Sequence, residues 1–175
     1  LAAQAGKHVL CEKPLALNEA ECREMAAAVE ANGVKLLEAF MYRFHPRTDR
    51  VVEMVRNGAI GDLRVIRSSF TFRLTRLDNI RLDPALGGGA LMDVGCYCVN
   101  VSRTMAGAEP VAVHALARWT ARGVDDEMTG TLQFPGGVLA HFDCSLTMER
   151  NEVYEVAGTD GHIRVPASFL PGTED

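Results

Sequence analysis

The chain is short of the features that take a protein into a membrane or onto nucleic acid. No apolar run in its 175 residues approaches the roughly 20 needed to span a bilayer. Leu1 to Lys7 lack the basic start and following apolar block of a secretory leader. Positive charge is in deficit: 18 Lys and Arg face 23 Asp and Glu, for a net charge of -5. Nothing in that balance draws the chain toward phosphate backbones or anionic lipid, so neither nucleic acid nor membrane is expected as a partner. Cysteine is scarce and without framework spacing. The five residues Cys11, Cys22, Cys96, Cys98 and Cys144 argue against a disulfide scaffold, and a reducing, cytoplasmic setting is expected. Cys96 and Cys98 sit two apart on a predicted helix and point to different sides, which argues against a metal site built from them. Internal repeats and low-complexity tracts are absent as well.

What is present is ordinary globular material, 47% hydrophobic and 23% charged, with enough length for one or two domains and a real core. Leu1 to Ala5 reads as a helix end stopped by Gly6, followed by a strand from His8 to Cys11. Asn18 caps the next helix, with Glu21 as capping-box partner, and Asn32-Gly33 ends it. Val34 to Phe40 is a near-continuous apolar strand of the kind buried in parallel sheets. Strand, crossover helix and strand make half of a doubly wound fold. The character then changes. A helix is predicted from Pro46 to Arg56, a long alternating strand from Leu63 to Leu74, and a helix from about Gly89 to Met105. Strands follow over Val111 to Thr120, Glu127 to Phe134, Val138 to Thr147, Glu152 to Ala157 and His162 to Val165. Val111, Val113, Ala115, Ala117 and Trp119 share one face of the first of these. Pro135-Gly136-Gly137 signals a hairpin. Such alternation predicts a mostly antiparallel sheet with one face packed on helices and a more polar face open to a partner subunit.

Three places carry chemistry. Lys13 stands at the end of the first strand, and Pro14 fixes the backbone behind it. Ligands of open α/β sheets gather beyond such strand ends. A lysine there can hydrogen-bond a substrate hydroxyl and ease the ionisation of a neighbouring acid; the plain alternative is a solvated surface lysine. Asp93 and Tyr97 are four apart and share a face of an otherwise apolar helix. An aspartate in that setting needs a partner. The pair reads either as a buried, hydrogen-bonded Asp beside a core Tyr or as an acid–base pair. A free phenol ionises near pH 10, so the second reading needs a nearby cation, for which Lys13 is a candidate. Gly95 costs about 1 kcal/mol inside a helix, and a close approach by a backbone or ligand would explain it. Gly87-Gly88-Gly89 invites the same reading. Arg43 and His45 follow a buried strand; the alternative is that they are hinge residues capping the next helix. His141 and Asp143 share a strand face, and two residues do not make the usual three- or four-ligand site, so no metal is expected.

Glu12-Lys13-Pro14, Met41-Tyr42-Arg43-Phe44-His45-Pro46 and the Gly87 to Tyr97 helix start, taken together, resemble the glucose-fructose oxidoreductase / inositol dehydrogenase family (Gfo/Idh/MocA). The resemblance runs in order over essentially the whole chain. It implies two-domain NAD(P)-dependent oxidoreductases, in which a Rossmann domain precedes an α+β domain whose open sheet commonly forms a dimer contact. By resemblance Lys13 is the catalytic lysine, and the peptide before Pro14 is often cis. Asp93 and Tyr97 fall on the family's Asp and His/Tyr positions. Tyrosine at the second makes the chain similar to the glucose-fructose oxidoreductase, xylose dehydrogenase and dihydrodiol dehydrogenase branch. Glu12, Lys13, Pro14 and Arg43 are implied on the cofactor, NAD or NADP, and Lys13, Arg43, Asp93 and Tyr97 on the substrate.

Residues 1–43 are expected to be the C-terminal part of a Rossmann domain, and 44–175 an α+β domain with an open, mostly antiparallel sheet packed on helices. The Gly-rich G-x-G-x-x-G turn is missing, so the chain is expected to be a fragment, truncated at its C-terminus as well. The parent is expected to move hydride between nicotinamide and a secondary alcohol or carbonyl of a sugar-like or cyclic diol substrate. Tyr97 would exchange the proton, Lys13 would hold the reacting oxygen and Asp93 would orient the pair. The loop Thr75 to Pro84, with Arg76 and Arg81, would rim the site. The alternative for the chain itself is a non-catalytic dimerisation module built on the sheet.

Overall fold

The computed structural model describes residues 1–172; the last three positions of the expected second domain, 173–175, lie outside the described residues. The backbone divides into two compact units, Leu1–Phe40 and Met41–Asp175.

In the first unit, β1 (Val9–Cys11) and β2 (Leu36–Glu38) pair in parallel, with Leu10 opposite Leu37 and Cys11 opposite Glu38. Parallel neighbours need a crossover, and α1 (Glu19–Ala31) supplies it. The start of α1 is set by its sequence. The Asn18 side chain accepts the Glu21 N–H at 3.0 Å, and the Glu21 carboxylate takes the Leu17 N–H at 3.1 Å. This is the expected capping exchange with its return arm landing one residue earlier on the backbone. The strand read from Val34 to Phe40 contributes only the three-residue ladder of β2. Leu10 and Leu37, partners across the ladder, are 70% and 46% exposed. Strands of a doubly wound sheet are normally covered on both faces, and this pair is not.

The second unit begins with a 3-10 turn at Met41–Phe44 and α2 (Pro46–Arg56), for which the His45 imidazole is the N-cap. β3 (Leu63–Thr71) follows, then two short 3-10 turns. A π-turn at Leu91–Gly95 runs into α3 (Cys96–Ala106). The chain ends in β4 (Ala112–Trp119), β5 (Asp125–Gln133), β6 (Leu139–Ser145), β7 (Asn151–Gly158) and β8 (His162–Pro166). These strands form one open sheet in the order β4-β5-β6-β3-β7-β8. Every neighbouring pair is antiparallel except β3 with β6, which run parallel in the middle. The expected mostly antiparallel sheet therefore carries one mixed joint.

The core lies between this sheet and α3. Ile66 and Phe70 of β3, Phe142 and Cys144 of β6, and Tyr154 and Val156 of β7 are buried toward Cys98, Val101 and Met105. Side chains of this size each stabilise the fold by about 1.5–3 kcal/mol through removal from water. The sheet outgrows this cover at one edge. Val113 stands opposite the buried Leu132, on the core side of the sheet, yet Val113 is 71% and Trp119 65% exposed. Among the described residues no helix is long and apolar enough to cross a membrane.

Candidate active site

The residues singled out in the sequence divide between the two units. Glu12, Lys13 and Pro14 follow the carboxyl end of β1, and the Lys13–Pro14 peptide is cis. The neighbouring strand end braces this turn. Glu38 accepts the Leu15 N–H at 2.8 Å, and the Ala39 N–H donates to the Cys11 carbonyl at 2.8 Å. Lys13 is half-buried and Glu12 exposed.

In the second unit, Asp93 and Tyr97 sit on consecutive turns where the π-turn becomes α3. The continuous helix expected from Gly89 is thus interrupted at its start: the Cys96 N–H reaches back to the Leu91 carbonyl, five residues earlier. Such π-bulges occur frequently at functional sites. Asp93 pairs with Arg81, Nε to Oδ2 at 2.5 Å, and its side chain is 11% exposed. The Tyr97 hydroxyl donates to Met41 Sδ at 3.5 Å. Its ring lies among aromatics, with Phe70 edge-on at 5.4 Å, Phe169 at 5.5 Å and Tyr42 at 6.1 Å between centroids. Phe169 is brought in from the end of the chain, where Glu152 accepts the Leu170 N–H at 3.0 Å. Tyr42 is fully buried and donates to Asn100 Oδ1 at 2.6 Å; burial pushes its phenol well above the ordinary range. Burial likewise pushes the Tyr154 phenol up to about 12.

The glycines explain the irregular helix start. A side chain on Gly95 would come within 2.8 Å of Cys144 Sγ on β6. Gly89, at φ 124°, lies where a side chain would meet Asp125 Oδ1 at 2.1 Å. Asp125 uses its other oxygen to accept the Leu91 N–H at 2.7 Å, capping the π-turn from β5. Burial raises the Asp125 carboxyl above the usual carboxylate range, against the lowering effect of that bond. The close approaches read from the sequence are present, and the approaching groups are the protein's own.

Arg43 is exposed on the 3-10 turn and lines a cleft with Asn100, Arg103 and Thr104. His45 is a helix cap, its Nδ1 accepting the Arg47 N–H at 3.2 Å. Asp143 accepts the Ser69 hydroxyl at 2.7 Å. Among the described residues no group of three or more His, Cys, Asp or Glu is placed to hold a metal.

The sequence reading missed Arg81 as the partner of Asp93 and Asp125 as a cap. A signal existed for the first: an aspartate on an apolar helix needs a cation, and the preceding loop carries Arg76 and Arg81. None existed for the second, because the cap comes from a strand distant in sequence.

The implied nicotinamide cofactor can be tested against the residues present. The first unit offers two parallel strands ending together, with Glu12, Lys13 and Pro14 beyond β1 and the Glu38 carboxylate at the end of β2. That is the place where such folds hold their ligands. A glycine-rich turn to cradle the pyrophosphate does not occur in the sequence. The residues present are of the kind that can serve one end of a dinucleotide.

Two family models match the chain. One, GFO/IDH/MocA C-terminal domain, covers residues 48–164. The other, oxidoreductase family, NAD-binding Rossmann fold, covers residues 1–40. The chain is 43% identical over 158 residues to trans-1,2-dihydrobenzene-1,2-diol dehydrogenase of Oryctolagus cuniculus, a match covering 90% of this chain and 48% of that protein. It is 42% identical over 170 residues to D-xylose 1-dehydrogenase (NADP(+)) 2 of Haloferax volcanii, covering 96% of this chain and 52% of that one. Among solved structures, aldose-aldose oxidoreductase from Caulobacter crescentus complexed with glycerol aligns with a TM-score of 0.91 at 36% identity, over 96% of this chain and 52% of that one. The chain spans about half the length of the curated relatives it matches.

Proposed function

Because the chain belongs to the GFO/IDH/MocA oxidoreductase family, we propose that the full-length protein is an NAD(P)-dependent dehydrogenase or reductase of sugar-like or cyclic diol substrates. The observation that carries this reading is the helix start holding Asp93 and Tyr97, walled by aromatics and paired to Arg81. Relatives named for a dihydrodiol and for xylose support the substrate class.

Tyr97 exchanges the proton of the substrate hydroxyl. Its ring is fixed by Phe70 and Phe169, so the hydroxyl swings little. Lys13, set in a braced turn, donates a hydrogen bond to the reacting oxygen and stabilises negative charge as it develops there. Asp93 orients the hydroxyl that Tyr97 serves. Glu12 and Pro14 serve the cofactor, and Arg43 serves the cofactor and the substrate. The nicotinamide ring, when bound, supplies or accepts the hydride. In the oxidative direction Tyr97, as its phenolate, takes the hydroxyl proton, and the carbon-bound hydrogen would leave with its electron pair to the nicotinamide ring as the carbonyl forms.

The test is steady-state kinetics of the full-length protein on a panel of diols and aldoses, followed by nicotinamide absorbance. Tyr97→Phe and Lys13→Met should each lower kcat by about 100-fold or more; turnover near wild type by either variant would overturn the reading.

A second reading concerns assembly. The sheet face away from α3 carries Leu116 and Leu139, 66% and 51% exposed, beside the Arg67–Glu155 ion pair and His141. A second copy of the chain covers this face in a homodimer, and the chain alone serves then as a dimerisation module. Sedimentation equilibrium on the 175-residue chain separates monomer from dimer, and a nicotinamide titration on the same sample separates module from binder. Five free cysteines support a reducing, cytoplasmic setting for the protein.

A further inference from the structure

We infer that Arg81 is a positioning residue for this reaction, holding Asp93 in the orientation that serves Tyr97; the inference rests on the site reading proposed above. Arg81 Nε donates to Asp93 Oδ2 at 2.5 Å, and its guanidinium lies 5.9 Å from the centre of the Phe72 ring. Anchoring one carboxylate oxygen fixes the side-chain torsion, and with it the direction of the other oxygen. Stacking over an aromatic face holds the cation without taking its in-plane donors.

The loop carrying Arg81 is built to present it. The Arg81 N–H donates to Asn79 Oδ1 at 3.0 Å, and the Arg81 carbonyl accepts the Gly89 N–H at 2.9 Å. A side chain on Gly88 would come within 2.6 Å of that carbonyl. The glycine triplet therefore lets the loop close against the helix start, bringing residue 81 onto residue 93. The loop read from the sequence as a rim is thereby joined to Asp93 through the Arg81 guanidinium.

Part of the pair's role is structural, because Asp93 is 11% exposed on an apolar helix and needs a partner there; Arg81, 38% exposed, reaches it from the loop. Geometry at a reacting centre is a separate demand: a displacement of about 1 Å there costs about 100-fold in rate. Arg81 touches Asp93 and acts through it, so its removal should be felt in turnover before binding.

The experiment is a double-mutant cycle in the full-length enzyme with Arg81→Met, Asp93→Asn and both together. Arg81→Met should lower kcat about 10- to 100-fold with KM changed less than about threefold. The double variant should be no slower than Asp93→Asn alone, because both changes remove one device. Arg81→Ala should regain turnover on addition of free guanidinium ion, and Asp93→Asn should not. Without cofactor or substrate, the carboxyl carbon resonance of Asp93 should move between wild type and Arg81→Lys, a variant that keeps the charge and loses the planar donor. Multiplying losses in the double variant, kcat of Arg81→Met within about twofold of wild type, or an unmoved Asp93 resonance would overturn the inference. Tyr97→Phe, run alongside, separates the premises: wild-type turnover there removes the site reading itself, whatever Arg81 does.

Discussion

The two units of this chain are built to different standards. In Leu1–Phe40 the buried hydrophobic residues are Ala3 and Phe40, α1 buries none of its side chains, and Leu10 and Leu37 face water. In Met41–Asp175 a six-stranded sheet closes on α3 over residues such as Ile66, Val101, Phe142 and Val156, each at most 3% exposed. Both are recognisable parts of one family's fold. What differs is how much of the surface needed for stability each carries itself. The second unit resembles a domain; the first is two strands and a crossover whose local geometry is specified but whose cover is not.

The difference can be tested by truncation. Phe142→Ala in the second unit should cost about 3–5 kcal/mol, seen as a lower midpoint in urea denaturation. The equivalent truncation of Leu10 or Leu37, exposed on the first unit, should change that midpoint by no more than about 0.5 kcal/mol. Equal losses at both would show that the bare ladder is covered in solution. Between these extremes lies Gly95→Ala. It pushes a methyl group toward Cys144 and should cost about 1–3 kcal/mol by overpacking, and a Cys144→Ala background should relieve most of it.

Asp125→Ala comes next, at about 0.5–2 kcal/mol for a lost cap. Its pH dependence has a defined sign. Burial holds the folded carboxyl above the 3.8 of a free aspartate. The folded chain therefore keeps a proton that the unfolded chain has released, and this group's contribution to stability falls as pH rises from about 3.8 through the raised folded value. Denaturation of Asp125→Asn across that window should lack this slope; an identical slope would remove Asp125 as its source. The smallest effect belongs to the Leu17–Asn18–Glu21 cap of α1. Glu21→Ala should lower helix content in the first unit and leave the urea midpoint of the second unchanged.

How much of this was legible in the sequence follows the range of the interactions. The Asn18–Glu21 cap, the Pro135-Gly136-Gly137 hairpin and the boundaries of α2 were readable because each is decided within a few residues. Glycine crowding at 88, 89 and 95 was readable as a need, since glycine on a helix costs stability. The groups that crowd Gly89 and Gly95 were not, because Asp125 and Cys144 arrive from other strands. The parallel joint of β3 with β6 was hidden for the same reason: alternation gives a strand its faces and not its neighbour. The exposed face of β4 shows that an apolar stripe marks where cover belongs, whether or not the chain supplies it. For the candidate site, Asp93 and Tyr97 were visible as residues out of character with their helix. The π-turn that carries Asp93 was not, since it follows from packing on β5 and β6.

Phe169 sets an order on how the site is made. Its ring stacks on Phe70 and lies against Tyr97, and it is held by a carboxylate on β7. As the chain leaves the ribosome, Asp93 and Tyr97 appear near the middle of this stretch, well before residue 169. The tyrosine therefore waits through the synthesis of five more strands for the last wall of its pocket. A chain interrupted after β8 would hold every residue assigned to the chemistry and still lack the surface that steadies its proton-carrying group.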